Sequence, residues 1–260
     1  MDWGIENRLN RIFDKKSGNA LMLAIDHGYF LGPTSGLEKP YEAVKELIPH
    51  ADCLMLTRGA LRNCVPNDLD KPIVLRVSGG TSIVGPELLH EGTTVSMEEA
   101  IRLNASGVAY SVMVGADFER DTILDLGRWV DAGNRYGMPV LSVTAVGKNM
   151  EKDARYLALA TRLSAETGAH FVKTYYCDNF EKVTETATVP VVIAGGKKKP
   201  EKEALEMAYN AISKGARGVD MGRNIFQSEN PVAMIKAVKS IVHKGIDAEQ
   251  AYNLYKSEAE

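Results

Sequence analysis

Short runs of apolar, β-prone residues alternate along this chain with longer stretches in which apolar positions recur every three or four residues, and eight such rounds follow one another. The apolar runs lie at 21–25, 53–56, 73–77, 108–114, 140–143, 171–173, 189–193 and 218–221. Helical periodicity covers about 40–49, 97–104, 118–136, 152–167, 180–186, 201–214 and 231–243, after an amino-terminal extension of about 1–18 and before a closing helix within about 247–260. The link from the second run to the third is short and poorly helical. Ser96 ahead of Met97-Glu98-Glu99 reads as a capping box, and Gly137, Gly168 and Gly215 stand where carboxyl caps belong. Near-continuous apolar strands separated by helices predict a parallel sheet covered on both faces. Eight rounds favour closure into a (β/α)8 TIM barrel over an open doubly wound sheet. The expected fold class is therefore α/β, a single barrel. No linker or solenoid repeat interrupts the pattern, so 1–260 is expected to be one domain.

The sixth apolar run carries a lysine. Lys173 sits inside His170-Phe171-Val172-Lys173-Thr174-Tyr175-Tyr176, and a lysine without a partner in such a place tends to lose its proton, leaving an amine able to attack a carbonyl. The plain alternative is a strand-end lysine with its head in water. In a TIM barrel the active site is built at the carboxyl ends of the strands, so the residues that close each run are the candidates. They are Asp26 and His27 after the first, Arg58 after the second, Ser78 after the third, and Lys173 in the sixth. Two glycine turns, Ala194-Gly195-Gly196-Lys197 and Met221-Gly222-Arg223-Asn224, follow the seventh and eighth, where barrels commonly hold a phosphate on backbone N–H groups. Gly195, Gly196, Gly222, Arg223 and Lys197 are the expected phosphate-binding set, with Arg58 and Ser78 as further substrate contacts; Lys198 and Lys199 read as a solvated loop. Asp26 is placed to move protons, with His27 as a second candidate, and the competing role for Asp26 is a salt bridge to a strand-end arginine.

Charge and cysteine content narrow the partners. A net charge of -3 with 25% charged residues gives no reason to expect nucleic acid or an anionic membrane. Cys53, Cys64 and Cys177 form no CxxC pair, which points to a reducing cytoplasm and to neither disulfides nor zinc. The amino-terminal residues carry charges where a signal peptide needs its apolar segment, so export by that route is not expected. The five histidines show no HxH or HExxH spacing, so no metal is expected. Cys177 has no recognisable base partner for nucleophilic work.

Ala24-Ile25-Asp26-His27-Gly28, Val172-Lys173-Thr174-Tyr175-Tyr176, Ala194-Gly195-Gly196-Lys197 and Gly222-Arg223-Asn224-Ile225-Phe226-Gln227 resemble the class I aldolase family that contains the archaeal-type fructose-bisphosphate aldolases and deoxyribose-phosphate aldolase relatives. The resemblance runs over nearly the whole chain. It implies that Lys173 forms a Schiff base, that Asp26 is catalytic, and that Gly195, Gly196, Gly222 and Arg223 hold a substrate phosphate. Sugar-processing members place a Tyr-Pro-Arg motif after the fifth strand; this chain has Thr144-Ala145-Val146-Gly147-Lys148. That departure, with Asp26-His27-Gly28-Tyr29-Phe30, Thr57-Arg58-Gly59 and Asp220-Met221-Gly222-Arg223, is similar to the autoinducer-2-processing branch, which implies a small phosphorylated ketone as substrate, coenzyme A as co-substrate with no bound cofactor, and a homo-oligomer, a decamer in that branch. A class I fructose-bisphosphate aldolase, an aminodideoxyheptulosonate synthase, and a non-catalytic phospho-ligand binding barrel stay open, as does whether Lys173 acts covalently or by polarising a carbonyl.

Overall fold

The computed structural model describes residues 2–86, 88, 90–146 and 151–259. Eight parallel strands, β1 (Ala20–Ala24), β2 (Cys53–Thr57), β3 (Ile73–Arg76), β4 (Gly107–Val114), β5 (Val140–Val146), β6 (Phe171–Tyr175), β7 (Val191–Ala194) and β8 (Gly218–Met221), close into a barrel. Each strand pairs with its sequence neighbours, and Ala20 opposite Gly218 shuts the ring between β1 and β8. The TIM barrel expected from the eight rounds is the fold.

Strand alternation divides the apolar side chains into two cores. Leu21, Leu23, Leu54, Leu56, Leu75, Val108, Tyr110 and Val219 pack outward with the helices. Ala20, Met22, Cys53, Met55, Val74, Ala109, Leu141, Phe171 and Val192 pack together inside the ring. The amino-terminal extension proves to be a plug: its helix Trp3–Ile12, capped by Asp2, puts Ile12 among the inner residues, and Phe13 meets Phe171 edge-on at 5.5 Å. Beside this floor His243 bridges Ser17 Oγ (2.8 Å) and Asp52 Oδ2 (2.9 Å), tying the last barrel helix, Pro231–Lys244, to the β1 and β2 entrances.

Three local expectations change. The β2–β3 link holds a two-turn helix, Arg58–Cys64, because Thr57 Oγ1 accepts the Ala60 N–H (3.2 Å) and offsets the low propensity of Gly59. β5 and β6 run to Val146 and Tyr175, past the expected ends at 143 and 173, because pairing with β4 and β7 continues there. Ser96 caps its helix through the Glu99 N–H (3.2 Å), but the reciprocal half of a capping box is replaced by Glu99 contacts to Arg62 and Arg102. Gly137, Gly168 and Gly215 take positive φ as helix terminators, as expected. Among the described residues no helix is long and apolar enough to cross a membrane, and no cluster of His, Cys, Asp and Glu suits a metal ion.

Candidate active site

The inner core changes character toward the carboxyl ends of the strands. Counting in steps of two from Met22, Val74, Ala109 and Phe171 leads to Asp26, Arg76, Ser111 and Lys173, and β8 contributes Asp220. Strand parity thus forces these polar groups into one layer at the top of the ring. All five are buried, and a cavity of about 160 Å³ opens above them.

Lys173 Nζ lies 2.8 Å from Asp220 Oδ2 and 3.8 Å from Met55 Sδ. The expected unpartnered ammonium is in fact ion-paired, because β8 supplies a carboxylate in the same layer. The contact is a close charge pair rather than an aligned hydrogen bond, and neither Asp220 oxygen accepts a hydrogen bond among the described residues. Burial pushes the Asp220 carboxyl up, and the Lys173 ammonium offsets this only in part.

Asp26 is held differently. Arg76 Nε donates to Asp26 Oδ2 (3.0 Å), so the salt bridge to a strand-end arginine is present. Burial works to raise the Asp26 carboxyl, but the charges of Arg76 and then Lys173 outweigh it and hold the group below the ordinary carboxylate range. Arg76 also donates to Ser78 Oγ (3.2 Å) and Ser111 Oγ, and its guanidinium stacks 4.9 Å from the Tyr29 ring centre. Ser78 Oγ donates to Glu91 Oε2 (2.7 Å), and Tyr29 donates its hydroxyl to Glu91 Oε1 (2.6 Å). The result is a buried network that pins Asp26 as an anion and anchors the β3–β4 loop at Glu91.

His27 lines the same cavity, edge-on to Phe226 at 5.7 Å, with Nδ1 buried and without a hydrogen-bond partner among the described residues. Burial pushes its imidazole from 6.5 down to about 4, against the pull of Asp26. Between these values the unfolded chain binds a proton that the folded chain refuses. Its contribution to stability is therefore full above the unfolded value and is lost as pH falls toward the folded one, by at most roughly 3 kcal/mol. Urea titrations from pH 7 to 4 should show a flatter decline for His27→Gln than for the parent; equal slopes would refute the burial of a neutral ring.

The two glycine turns are clamped together by Asn224, which is fully buried. Its Nδ2 donates to the carbonyls of Gly195 (2.6 Å) and Lys197 (3.3 Å), and its Oδ1 accepts the Lys199 N–H (2.8 Å). Gly222 is required sterically: a Cβ there would stand 2.3 Å from the Ala24 carbonyl oxygen and 2.6 Å from His27 Cε1. Gly222→Ala should therefore cost roughly 1–3 kcal/mol by overpacking. It should also raise the KM for a phosphorylated substrate, and an unchanged Tm and KM would show that the turn has slack.

The expected site residues separate into three groups. Lys173, Asp26, His27, Gly195, Gly196, Gly222 and Arg223 line one cavity, with Arg223 Nε buried and without a hydrogen-bond partner among the described residues. Arg58 and Ser78 line an adjoining cavity of about 210 Å³, which shares Tyr29 and Arg76 with the first as a dividing wall. Ser78 reaches the network rather than open space. Lys197 is exposed and outside both linings, its carbonyl serving Asn224. Thr144, which opens the segment read as replacing the Tyr-Pro-Arg motif, lines the cavity and donates its hydroxyl to the Lys173 carbonyl oxygen (3.2 Å). Gly147 and Lys148 of that segment lie outside the described residues. Cys177 is inert by environment, since burial pushes its thiol up to about 11. Arg76, Asp220, Ser111, Glu91 and Tyr29 were not among the expected site residues. For Arg76 and Asp220 the signal was present, a charge inside an apolar β run like that of Lys173.

A closed eight-stranded barrel with a buried lysine beneath a cavity at the carboxyl ends of its strands is the architecture of the lysine-type aldolases, and relatedness agrees. The model of the DeoC/LacD family of aldolases matches residues 20–228, and the chain belongs to that family of enzymes. It is 55% identical over 259 residues to the 3-hydroxy-5-phosphonooxypentane-2,4-dione thiolase of Photorhabdus laumondii, covering 99% of this chain and 89% of the relative. The thiolase of the same name from Enterobacter sp. is also 55% identical, over 99% of this chain and 88% of its own length. Among solved structures, an archaeal fructose 1,6-bisphosphate aldolase superposes with a TM-score of 0.83 at 26% identity, over 93% of this chain and 100% of that one. An archaeal fructose-1,6-bisphosphate aldolase with its catalytic lysine covalently bound to the carbinolamine intermediate superposes with a TM-score of 0.81 at 26% identity, over 92% and 99%.

Proposed function

We propose that this chain is a 3-hydroxy-5-phosphonooxypentane-2,4-dione thiolase, acting as one barrel domain over its 260 residues. The observation that carries this reading is 55% identity across 99% of the chain to relatives of that name. Thr144 is consistent with it, since its hydroxyl is engaged at the strand and does not stand in for the tyrosine of the sugar-bisphosphate aldolases.

The turns after β7 and β8 receive the substrate phosphate on the backbone N–H groups of Gly195, Gly196 and Gly222, with Arg223 as counter-charge. Anchoring the phosphate brings the neighbouring C4 carbonyl over Lys173 at high effective concentration. As an iminium there, Lys173 draws the electron pair of the C2–C3 bond when the coenzyme A thiolate attacks C2. The sulfur–carbon bond forms, the C2–C3 bond breaks, and C3 takes a proton after its electrons return. Hydrolysis of the iminium frees dihydroxyacetone phosphate beside acetyl-coenzyme A. Asp26, fixed as an anion by Arg76, stabilises the cationic nitrogen. Coenzyme A is a co-substrate, and the reading includes a cytoplasmic homo-oligomer, decameric by family resemblance, which sedimentation velocity can check.

Incubation with the phosphorylated pentanedione and coenzyme A should yield acetyl-coenzyme A and dihydroxyacetone phosphate in equal amounts by mass spectrometry. Absence of a coenzyme A-dependent product together with turnover of fructose bisphosphate would replace this reading with the aldolase.

A further inference from the structure

Lys173 and Asp220 reach each other from β6 and β8 across β7, which places Val192 beside Lys173 and Ala194 beside Asp220. Neither of those neighbours has a polar side chain. Asp220 accepts no hydrogen bond among the described residues, so its charge is balanced at contact distance by Lys173. If Lys173 gave its proton to bulk water, Asp220 would remain a buried carboxylate without a contacting cation, a state that costs several kcal/mol. Passing the proton across the 2.8 Å gap instead leaves two neutral groups.

Three of the other proton carriers in the cavity are committed elsewhere, and of the rest of its lining Asp220 is the group that lies 2.8 Å from Lys173 Nζ, while His27 and Tyr175 also line it. Arg76 is bonded to Asp26, Thr144 donates to the Lys173 carbonyl oxygen, and Tyr29 donates to Glu91. The groups that face Asp220 electrically are Lys173, Asp26 and Arg76, with the buried Cys53 thiol on β2. Asp26 and Asp220 are thus two buried carboxylates in unlike settings, one hydrogen-bonded to a guanidinium and one in ion-pair contact with an amine, and such division commonly separates the stabilising carboxylate from the proton-transferring one.

We propose that Asp220 is the proton-transfer partner of Lys173, taking the ammonium proton as the amine adds to the substrate carbonyl and returning it to the carbinolamine hydroxyl as water leaves. The nitrogen–carbon bond forms as the carbonyl π electrons move to oxygen. A proton passes from nitrogen to that oxygen, and the carbon–oxygen bond then breaks with the proton held by Asp220. Ammonium and ketone become iminium and water, and Asp220 ends ionised beside a cationic nitrogen as it began. This rests on the covalent role of Lys173 in the proposed function.

The test is borohydride trapping with dihydroxyacetone phosphate as the probe, followed by mass mapping of the adduct, in the intact protein and in Asp220→Ala and Asp220→Asn. The parent should be labelled on Lys173, and both variants should be labelled on the order of 100-fold more slowly. Added formate should restore the rate in Asp220→Ala, where it has room to stand in for the carboxylate, and not in Asp220→Asn. Thermal melts establish that each variant is folded; a variant that is not is replaced by Asp220→Glu, which should retain trapping at a reduced rate. Trapping at the parental rate in a folded Asp220→Ala, or slow trapping that formate leaves unchanged, overturns the proposal. Acetyl-coenzyme A production by a parent that gives no adduct also overturns it while leaving the thiolase reading intact. Slow, formate-rescued trapping without coenzyme A-dependent turnover supports Asp220 and sinks the thiolase reading instead.

Discussion

Lys173→Met should reduce turnover of the phosphorylated diketone by on the order of 10⁴-fold or more, because in the proposed mechanism this residue forms the covalent link and draws electrons from the breaking bond. Methionine nearly preserves the volume, so the change is chemical before it is structural. It nevertheless strands Asp220, and removing one member of a buried ion pair typically costs roughly 3–5 kcal/mol. Burial already holds the Asp220 carboxyl above its ordinary value, so that cost should be smallest in acid, where the group is protonated, and should grow as pH rises through its folded-state value. The double variant Lys173→Met/Asp220→Asn should recover stability and no activity. Product assays with thermal melts from pH 4 to 8 check both halves, and an active Lys173→Met protein would remove the lysine from the mechanism.

Arg76→Met should be strongly destabilising. It leaves Asp26 buried without its hydrogen-bonded cation and deprives Ser78 and Ser111 of the donor that joins them. Breaking such a pair costs roughly 3–5 kcal/mol, or roughly 6–20 °C in Tm at about 2–4 °C per kcal/mol for a chain of this size. The depressed Asp26 carboxyl sets the sign of the pH dependence. Its stabilising contribution is present above 3.8, its ordinary value, and disappears as pH falls through the lower folded-state value. The difference in unfolding free energy between parent and Arg76→Met should therefore be full near pH 7 and shrink toward pH 3. A variant as stable as the parent at neutral pH would show that Asp26 needs no partner. Because Arg76 and Tyr29 also separate the two cavities, the variant should lose activity beyond what unfolding explains.

The order of the strands accounts for how much of this site was legible from the chain alone. The apolar runs that predict the barrel also mark the strand ends at its mouth, and Asp26, Lys173 and the two glycine turns were found that way. The same reasoning applied to Arg76 and Asp220 would have found them as well, since each is a charge within an apolar β run. Glu91 and Tyr29 offered no such sign. Tyr29 lies in the short helix Gly28–Leu31 and Glu91 in the β3–β4 connection, and their pairing at 2.6 Å depends on how that connection folds back. The β2–β3 helix was obscured by Gly59, whose low propensity is outweighed by a cap that the chain leaves implicit.

By itself, the order of residues determined the eight-round barrel, the position of Lys173 at its mouth and the glycine turns after the last two strands, because hydrophobic period and turn chemistry are local properties. Which charges meet was decided only by closure of the ring. Closure sets β8 beside β1 and two strands from β6, so that Lys173 finds Asp220 and Asp26 finds Arg76, partners separated by 47 and 50 positions along the chain. Pairing over such distances follows from register and shear rather than from propensity, and it divides two similar aspartates into one held as an anion and one facing the lysine.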